Sequence, residues 1–305
     1  MINEEGDTVV CIRVDSEVQF STKFPSWIHY LVEKRKRAPK DEVNTAYIEG
    51  NPKAAPTQLH AVYTQLLNCT RLSDTHYQHL ASASRGLSER EILARQYSSL
   101  PEKPWLTANA MAKVMDATQF AGVPGFYQTQ YGWSIASKDG MLIPYRNEFN
   151  QIIGFQTRAD VVPNDVKVDP GSIEGLQARV IEQPNLVQIM IDGEIIEEVE
   201  LTKNEGKMVF QGSNYGFVEL VDGQKYYWLS SANKENGTGA GNPLPIHVAI
   251  PSEQLRTWKT GELHQAHAVW ITEGALKADI AAEHIPKVYD PEELVAVGST
   301  VLAVP

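Results

Sequence analysis

From residue 57 to residue 120 the apolar positions recur at helical spacing, and from residue 133 onward they alternate or cluster as strands. Leu59, Val62, Tyr63, Leu66 and Leu67 share one helical face within the stretch from Thr57 to Ala83. Ser88 followed by Glu91 forms a capping box and predicts a second helix running to about Gln96. Ala108 to Phe120 predicts a third, stopped by Gly122, Pro124 and Gly125. Residues 1–55 show no clear period. Val9 to Val14 reads as a short strand, Ser26 to Val32 mixes aromatics irregularly, and Pro52 and Pro56 mark a break.

The second half reads as β-structure that ends in a βα unit. Met141 to Arg146, the polar turn Asn147 to Asn150, and Gln151 to Arg158 predict a hairpin. Asp192-Gly193 between two apolar runs predicts another, and Asp222-Gly223 between Val218–Val221 and Gln224–Leu229 a third. Lys225 to Ser231 is a strand that ends in two hydroxyls, Ser230 and Ser231, which can bind a phosphate or cap a turn. Asn233 to Asn242, rich in Gly and Asn, is a loop without the Walker phosphate-loop pattern. Finally, Ala268 to Ile271 is short and β-prone, while Ala275 to Glu283 has helix-forming content. Glu273 therefore falls at the carboxyl end of a strand, where open α/β sheets place chemistry, with Gly274 at the turn.

Composition adds limits. The 305 residues, 42% hydrophobic and 21% charged, describe a globular chain of one elaborated domain or two. No run approaches the roughly 20 apolar residues that cross a bilayer, so no membrane partner is expected. The acidic amino terminus lacks signal-peptide regions, and the expected compartment is the cytoplasm. Cys11 and Cys69 are too few for a disulfide framework or a four-ligand zinc site, and no zinc is expected. The net charge of −11 opposes nucleic-acid binding until its distribution is considered. Residues 160–224 hold 13 acidic and 4 basic side chains, which leaves the rest of the chain nearly balanced. This insertion is expected to be a surface β-hairpin. The basic cluster Lys34 to Arg37 with Lys40 reads as a phosphate contact or as a solvated helix end or loop. His264 and His267 stand three apart without a third ligand, and no Ser-His-Asp or Cys-His arrangement is evident.

Several segments occur in a fixed order: Gly86-Leu87-Ser88 through Ile92, Tyr97-Ser98-Ser99-Leu100-Pro101, and Ile143-Pro144-Tyr145-Arg146 with Gly154-Phe155-Gln156-Thr157-Arg158. After them come Tyr226 to Ser231, Pro245-Ile246-His247-Val248-Ala249, and Thr272-Glu273-Gly274 through Lys277-Ala278-Asp279. The series resembles the catalytic core of bacterial DnaG-type primases. It is more similar still to the Toprim-like domain of primase and primase–helicase proteins of phages, plasmids and integrative elements. The resemblance covers roughly residues 60 to 305.

Taken with the residue pattern it implies a mixed α+β and α/β architecture: a helical region over 56–130 and a β-rich primase-like subdomain over 131–262, after a region of unclear fold over 1–55 that the resemblance does not reach. The insertion at about 160–224 lies within that subdomain, and the Toprim α/β domain begins over 263–305. It implies metal-dependent nucleotidyl transfer on a single-stranded DNA template, with Mg²⁺ or Mn²⁺ and nucleotides. A replicative helicase, separate or in the same polypeptide, is an expected partner. Glu273 is the implied metal ligand and catalytic carboxylate, with Lys277 beside it as a phosphate contact or a plain surface lysine. Arg146, Arg158 and Lys225 are the implied template or nucleotide contacts, the two arginines facing each other across the hairpin as one basic spot or standing in salt bridges.

The chain departs from the classical pattern in three places. It has no Cys-rich zinc ribbon, which puts start-site recognition in doubt. Lys277 stands where classical primases carry Asp, while Asp279, read as a helix-face residue or one behind the metal ligands, matches the mobile-element family. The Asp-x-Asp pair that completes such a site is absent. Val301 to Pro305 reads as a Toprim strand cut at its end, so these residues alone are expected to be inactive. The other reading is a non-catalytic nucleic-acid-binding or scaffold module on a degenerate Toprim framework.

Overall fold

A computed structural model describes residues 52–136, 139–203, 205–241 and 244–304, together with the backbone of three strands further towards the amino terminus. The chain divides into two compact units, Met1–Ile48 and Glu49–Pro305. In the first, β1 (Thr8–Cys11), β2 (Val18–Ser21) and β3 (Ser26–Tyr30) form an antiparallel sheet in the order β1-β3-β2. The basic cluster at 34–40 lies outside the described residues.

The second unit begins with α1 (Pro56–Cys69), α2 (Asp74–Ala81) and α3 (Glu89–Arg95). The Ser88–Glu91 capping box is formed in both directions. After the two-residue β4 (Ser98–Ser99) comes α4 (Pro104–Met111), which replaces the helix expected over 108–120. Pro104 starts it early, because proline fits a first helical turn, and the chain leaves α-geometry before a separate 3₁₀ turn at Ala117–Phe120 capped by Asp116. A short hairpin follows, β5 (Phe126–Thr129) and β6 (Gly132–Ile135).

The centre of the unit is the expected hairpin, β7 (Gly140–Arg146) and β8 (Ile152–Ala159). Every residue of β7 is buried, because helices cover both of its faces. Leu142, Ile152 and Phe155 pack with Leu59, Tyr63 and Met111 from α1 and α4 on one side. Met141, Ile143 and Tyr145 pack with Ile92 and with Ala275 and Leu276 on the other. The continuous apolar run Met141-Leu142-Ile143-Pro144-Tyr145 is the signature of a strand buried on both faces. Pro144 is tolerated because β4 pairs only with Met141 and Leu142 and leaves that side of β7 open further along.

The acidic insertion is larger than the single hairpin expected. It contains β9 (Asn164–Asp169), β10 (Leu176–Glu182), β11 (Leu186–Ile191), β12 (Glu194–Glu200), β13 (Gly206–Gln211) and β14 (Asn214–Asp222). These form two three-stranded sheets, β10-β11-β12 and β13-β14-β9, around their own core of Ile173, Val187, Ile189, Val209, Val218 and Leu220. The Asp192-Gly193 hairpin forms as expected, with φ of 52° and 85°. The Asp222-Gly223 hairpin does not: Asp222 pairs with Asn164 of β9. The next strand, β15 (Tyr226–Trp228), returns to pair with β8. The sheet β15-β8-β7-β4 thus closes over the insertion, whose two ends meet where the Ala159 amide donates to the Lys225 carbonyl at 2.9 Å.

The last segment holds β16 (His247–Ala249), α5 (Ser252–Leu255), β17 (Val269–Glu273), α6 (Ala275–Val288), α7 (Pro291–Val297) and β18 (Thr300–Val304). Strands β17 and β18 are parallel, β16 runs antiparallel to β18, and the order is β16-β18-β17. The fold as a whole is of the mixed α and β class.

Candidate functional site

The junction between β17 and α6 borders a cleft of about 210 Å³ lined by Gln156, Tyr226, Glu273, Gly274, Ala275, Leu276 and Lys277. Glu273 is the final residue of β17, and Gly274 turns the chain with φ of 80°, a conformation that glycine adopts without steric cost. Helix α6 starts at once without a side-chain cap, and its first amide, Ala275 N–H, donates to the Tyr145 hydroxyl at 3.3 Å. Gln156 and Tyr226 arrive from the paired strands β8 and β15, so the central hairpin sheet supplies one wall and the βα turn the other.

Glu273 and Lys277 are both exposed and lie 3.6 Å apart across one helical turn. An exposed pair of this kind contributes little to stability and leaves both groups available to a ligand. No second carboxylate lines the cleft, and among the described residues no three His, Cys, Asp or Glu side chains are grouped to hold a metal ion. Mg²⁺ needs several oxygen ligands, so Glu273 with a neighbouring ammonium does not make a divalent-cation site. His264, rather than joining His267, shares a hydrogen bond with the Thr300 hydroxyl at 2.9 Å.

Behind the cleft lies a buried ionic cluster. Asp279 accepts hydrogen bonds from Arg95, from the Tyr97 hydroxyl at 2.6 Å and from His247 at 3.1 Å. Arg95 also reaches Glu283 at 2.6 Å and the Ile250 carbonyl at 3.0 Å, and Glu283 accepts the Ser252 amide at 2.8 Å. Burial alone would raise the Asp279 carboxyl, but the Arg95 guanidinium and His247 hold it down at about 2. Burial, reinforced by the Asp279 charge, pushes the Tyr97 hydroxyl well above its ordinary range. Tyr97, His247 and Asp279 belong to three separate sequence segments and meet at this one point. Arg95, two residues before Tyr97, carries no local sequence signal of this role.

Arg146 belongs to the same interior. Only 6% exposed, it donates to Asn150 at 2.9 Å and to Gln96, and its amide donates to His247 Nδ1 at 2.9 Å. Burial lowers its guanidinium to about 10. The expected basic spot of Arg146 and Arg158 does not form. A register shift between Tyr145 and Arg146 pairs Arg146 with Ile152, while Arg158 pairs with Met141 at the far end of the hairpin. Arg158 is half-buried, and its cationic neighbourhood is the surface beside α2. There burial first, then the Arg158 and Arg85 guanidiniums, depress the His79 imidazole.

The other expected contacts separate into exposed and structural groups. Lys225 is exposed and paired with Asp222 at 3.3 Å. Ser230 is half-buried, its hydroxyl accepting the Ala232 amide at 3.3 Å. Ser231 is fully buried, donating to the Phe126 carbonyl at 2.8 Å and accepting the Thr238 amide at 2.9 Å. It caps the following loop, its hydroxyl engaged by backbone groups on either side. A Ser-His-Asp chain that the sequence did not reveal also appears. Ser99 Oγ lies 2.6 Å from His76 Nδ1, and His76 Nε2 lies 2.6 Å from Asp160. Ser99 Oγ already accepts the Ser73 amide at 2.8 Å, so this chain ties α2 to β4 and to the start of the insertion.

No family model matches the chain, and no curated protein sequence matches it. Solved structures do. One is the RNA polymerase domain of Mycobacterium tuberculosis primase DnaG, at 18% identity and a TM-score of 0.28 over 34% of this chain and 35% of that one. A second is that domain in complex with a double-stranded DNA oligomer with a 6-nucleotide overhang, at 17% identity and 0.29 over 35% of each chain. A third is that domain with another double-stranded DNA, at 17% and 0.28 over 34% of each. The chain thus spans about a third of the length of these structures. Among the described residues no helix is long and apolar enough to cross a membrane.

Proposed function

We propose that these residues belong to a primase-like replication protein of a mobile element, acting in the cytoplasm on single-stranded DNA and nucleotides. The observation that carries this reading is convergence. The segments that resemble primases are spread from Gly86 to Asp279, yet they assemble around one βα junction with Glu273 at its open end. A second support comes from the sheet. Parallel strands are normally covered on both faces, yet Ile271 of β17 is 70% exposed and Val269 and Trp270 are also bare. An α/β domain continuing across this surface, as the Toprim reading requires, would cover them.

In this reading Tyr226 and Gln156 receive a base, Lys277 at the start of α6 attracts phosphate, and Arg158 and Lys225 contact the template backbone. Nucleotidyl transfer needs carboxylates beyond Glu273, so the reaction, Mg²⁺ or Mn²⁺ dependence and a helicase partner are proposed for a polypeptide in which an Asp-x-Asp strand joins this one. A non-catalytic nucleic-acid-binding or scaffold module is the second reading, favoured by the lone Glu273 and its lysine neighbour. Primer synthesis on a single-stranded template by the longer polypeptide, abolished by Glu273→Gln, supports the enzyme. A longer polypeptide that binds the template without synthesis in either metal supports the module.

A further inference from the structure

The acidic insertion is a complete two-sheet module placed between β8 and β15, which are direct neighbours in the central sheet and need no such bridge. One of its faces gathers large aromatic side chains. In the sheet β13-β14-β9, Val209, Val218 and Leu220 point into the module core, so alternate residues point outward. Met208 stands opposite Phe217 and Phe210 opposite Tyr215, which brings four large side chains together on the outward face. Met208 is 44% exposed, Phe210 68% and Tyr215 55%. The Phe217 ring lies across Gly206, where a Cβ would come within 1.7 Å of it, so the glycine makes room for an aromatic on the surface. Asp165, Lys167, Asp169 and Glu219 rim the patch.

We propose that this face docks a basic protein partner through its apolar side chains. Three aromatics and a methionine rimmed by charge mark an interaction surface, and aromatics anchor such interfaces. Charge selects the occupant. With 13 acidic and 4 basic side chains over residues 160–224, the module repels nucleic acid, anionic membrane and a second copy of itself. A protein surface that joins lysine or arginine to apolar side chains satisfies both the patch and its rim. The surface is separate from the Glu273 cleft and does not depend on the nucleic-acid reading.

The test uses the 305-residue chain and a Phe210→Ser/Tyr215→Ser variant, whose substituted side chains point away from the module core. A fluorescein-labelled peptide alternating lysine and leucine, its glutamate–leucine counterpart and labelled oligothymidylate serve as probes, with sedimentation to report self-association. The expected result is binding of the basic peptide alone to the module, weakened about tenfold or more in the variant while the melting temperature and oligothymidylate binding hold. Equal peptide binding by the two proteins, or none by either, overturns the proposal. So does a variant that loses oligothymidylate binding, which would make the face a base-stacking platform, or one that converts a dimer to a monomer, which would assign it to a second copy.

Discussion

His247 Nε2 lies 3.1 Å from Asp279 Oδ1, and the direction of that bond is fixed from the other side of the ring. Nδ1 accepts the Arg146 amide at 2.9 Å, so the ring proton of the neutral imidazole resides on Nε2 and is donated to Asp279. The relay links β7 to β16 and β16 to α6, the helix that begins two residues after Glu273. The position of the Glu273 turn therefore rests on side chains that never touch the cleft.

Asp279→Ala should be among the most damaging single substitutions in the chain. It leaves Arg95 with only Glu283 as a charged partner and strips the Tyr97 hydroxyl of its acceptor inside the core. Removing one member of a buried ionic cluster costs about 3–5 kcal/mol. Urea denaturation read by tryptophan fluorescence measures it. A loss under about 1 kcal/mol would mean that the cluster is looser than these distances indicate.

The same carboxyl gives a pH signature. Its folded value of about 2 lies below the ordinary 3.8, so the stability it contributes is present above pH 4 and lost as the pH falls towards 2. The expected loss over that window is on the order of 2 kcal/mol. Unfolding free energies measured across the window check it: a stability that does not fall, or an Asp279→Asn protein with the same acid slope, contradicts the assignment.

Most local signals in the sequence translated, the helix expected over 108–120 excepted, and non-local pairings did not. The Ser88–Glu91 cap, the Asp192-Gly193 turn and the β7–β8 hairpin around its polar turn each depend on residues within a few positions of one another, and each forms. Glu273 at a strand end needed only the composition change at Gly274. Asp222-Gly223 has the same turn chemistry as Asp192-Gly193, but the partner of β14 is β9, more than forty residues earlier, and no local pattern specifies it. Arg146 fails for a related reason. An arginine at a hairpin end reads as exposed, and only α3, β16 and the Asn150 turn folding around it make it interior.

Ser230 and Ser231 should separate cleanly. Ser231→Ala removes the acceptor of the buried Thr238 amide, leaving an unpaired donor that costs about 1–3 kcal/mol. Ser230→Ala removes only a half-buried hydrogen bond to the Ala232 amide and should stay within about 0.5 kcal/mol. Thermal melts of the two variants compare them directly. Equal losses would show that the loop after β15 is not held by Ser231.

A polypeptide of these 305 residues should synthesise no primer on single-stranded DNA with Mg²⁺ or Mn²⁺. The cleft offers one carboxylate, 3.6 Å from an ammonium that competes with a cation for it. Extension products from labelled nucleotides, sensitive to Glu273→Gln, would show that these residues already complete a reaction centre.

Weak binding of single-stranded DNA should nevertheless persist, and the arginines should differ in how they support it. Arg158 and Lys225 lie at adjoining ends of β8 and β15, outside the acidic module, and their charges reach solvent. Backbone binding of this kind is mostly counterion release, so affinity should fall steeply as salt rises. Arg158→Ala with Lys225→Ala should weaken it and flatten the log–log salt slope by about 0.7 for each phosphate left without its cation. Arg146→Ala should instead lower the melting temperature, since its guanidinium is spent on Asn150 and Gln96. Glu273→Ala removes an exposed negative charge beside the cleft and should leave binding equal or slightly tighter. Anisotropy titrations of a labelled oligonucleotide at two salt concentrations, paired with melts of each variant, distinguish these outcomes. Binding abolished in a folded Arg146→Ala protein but unchanged in the Arg158→Ala/Lys225→Ala protein would move the nucleic-acid surface to the other end of the hairpin.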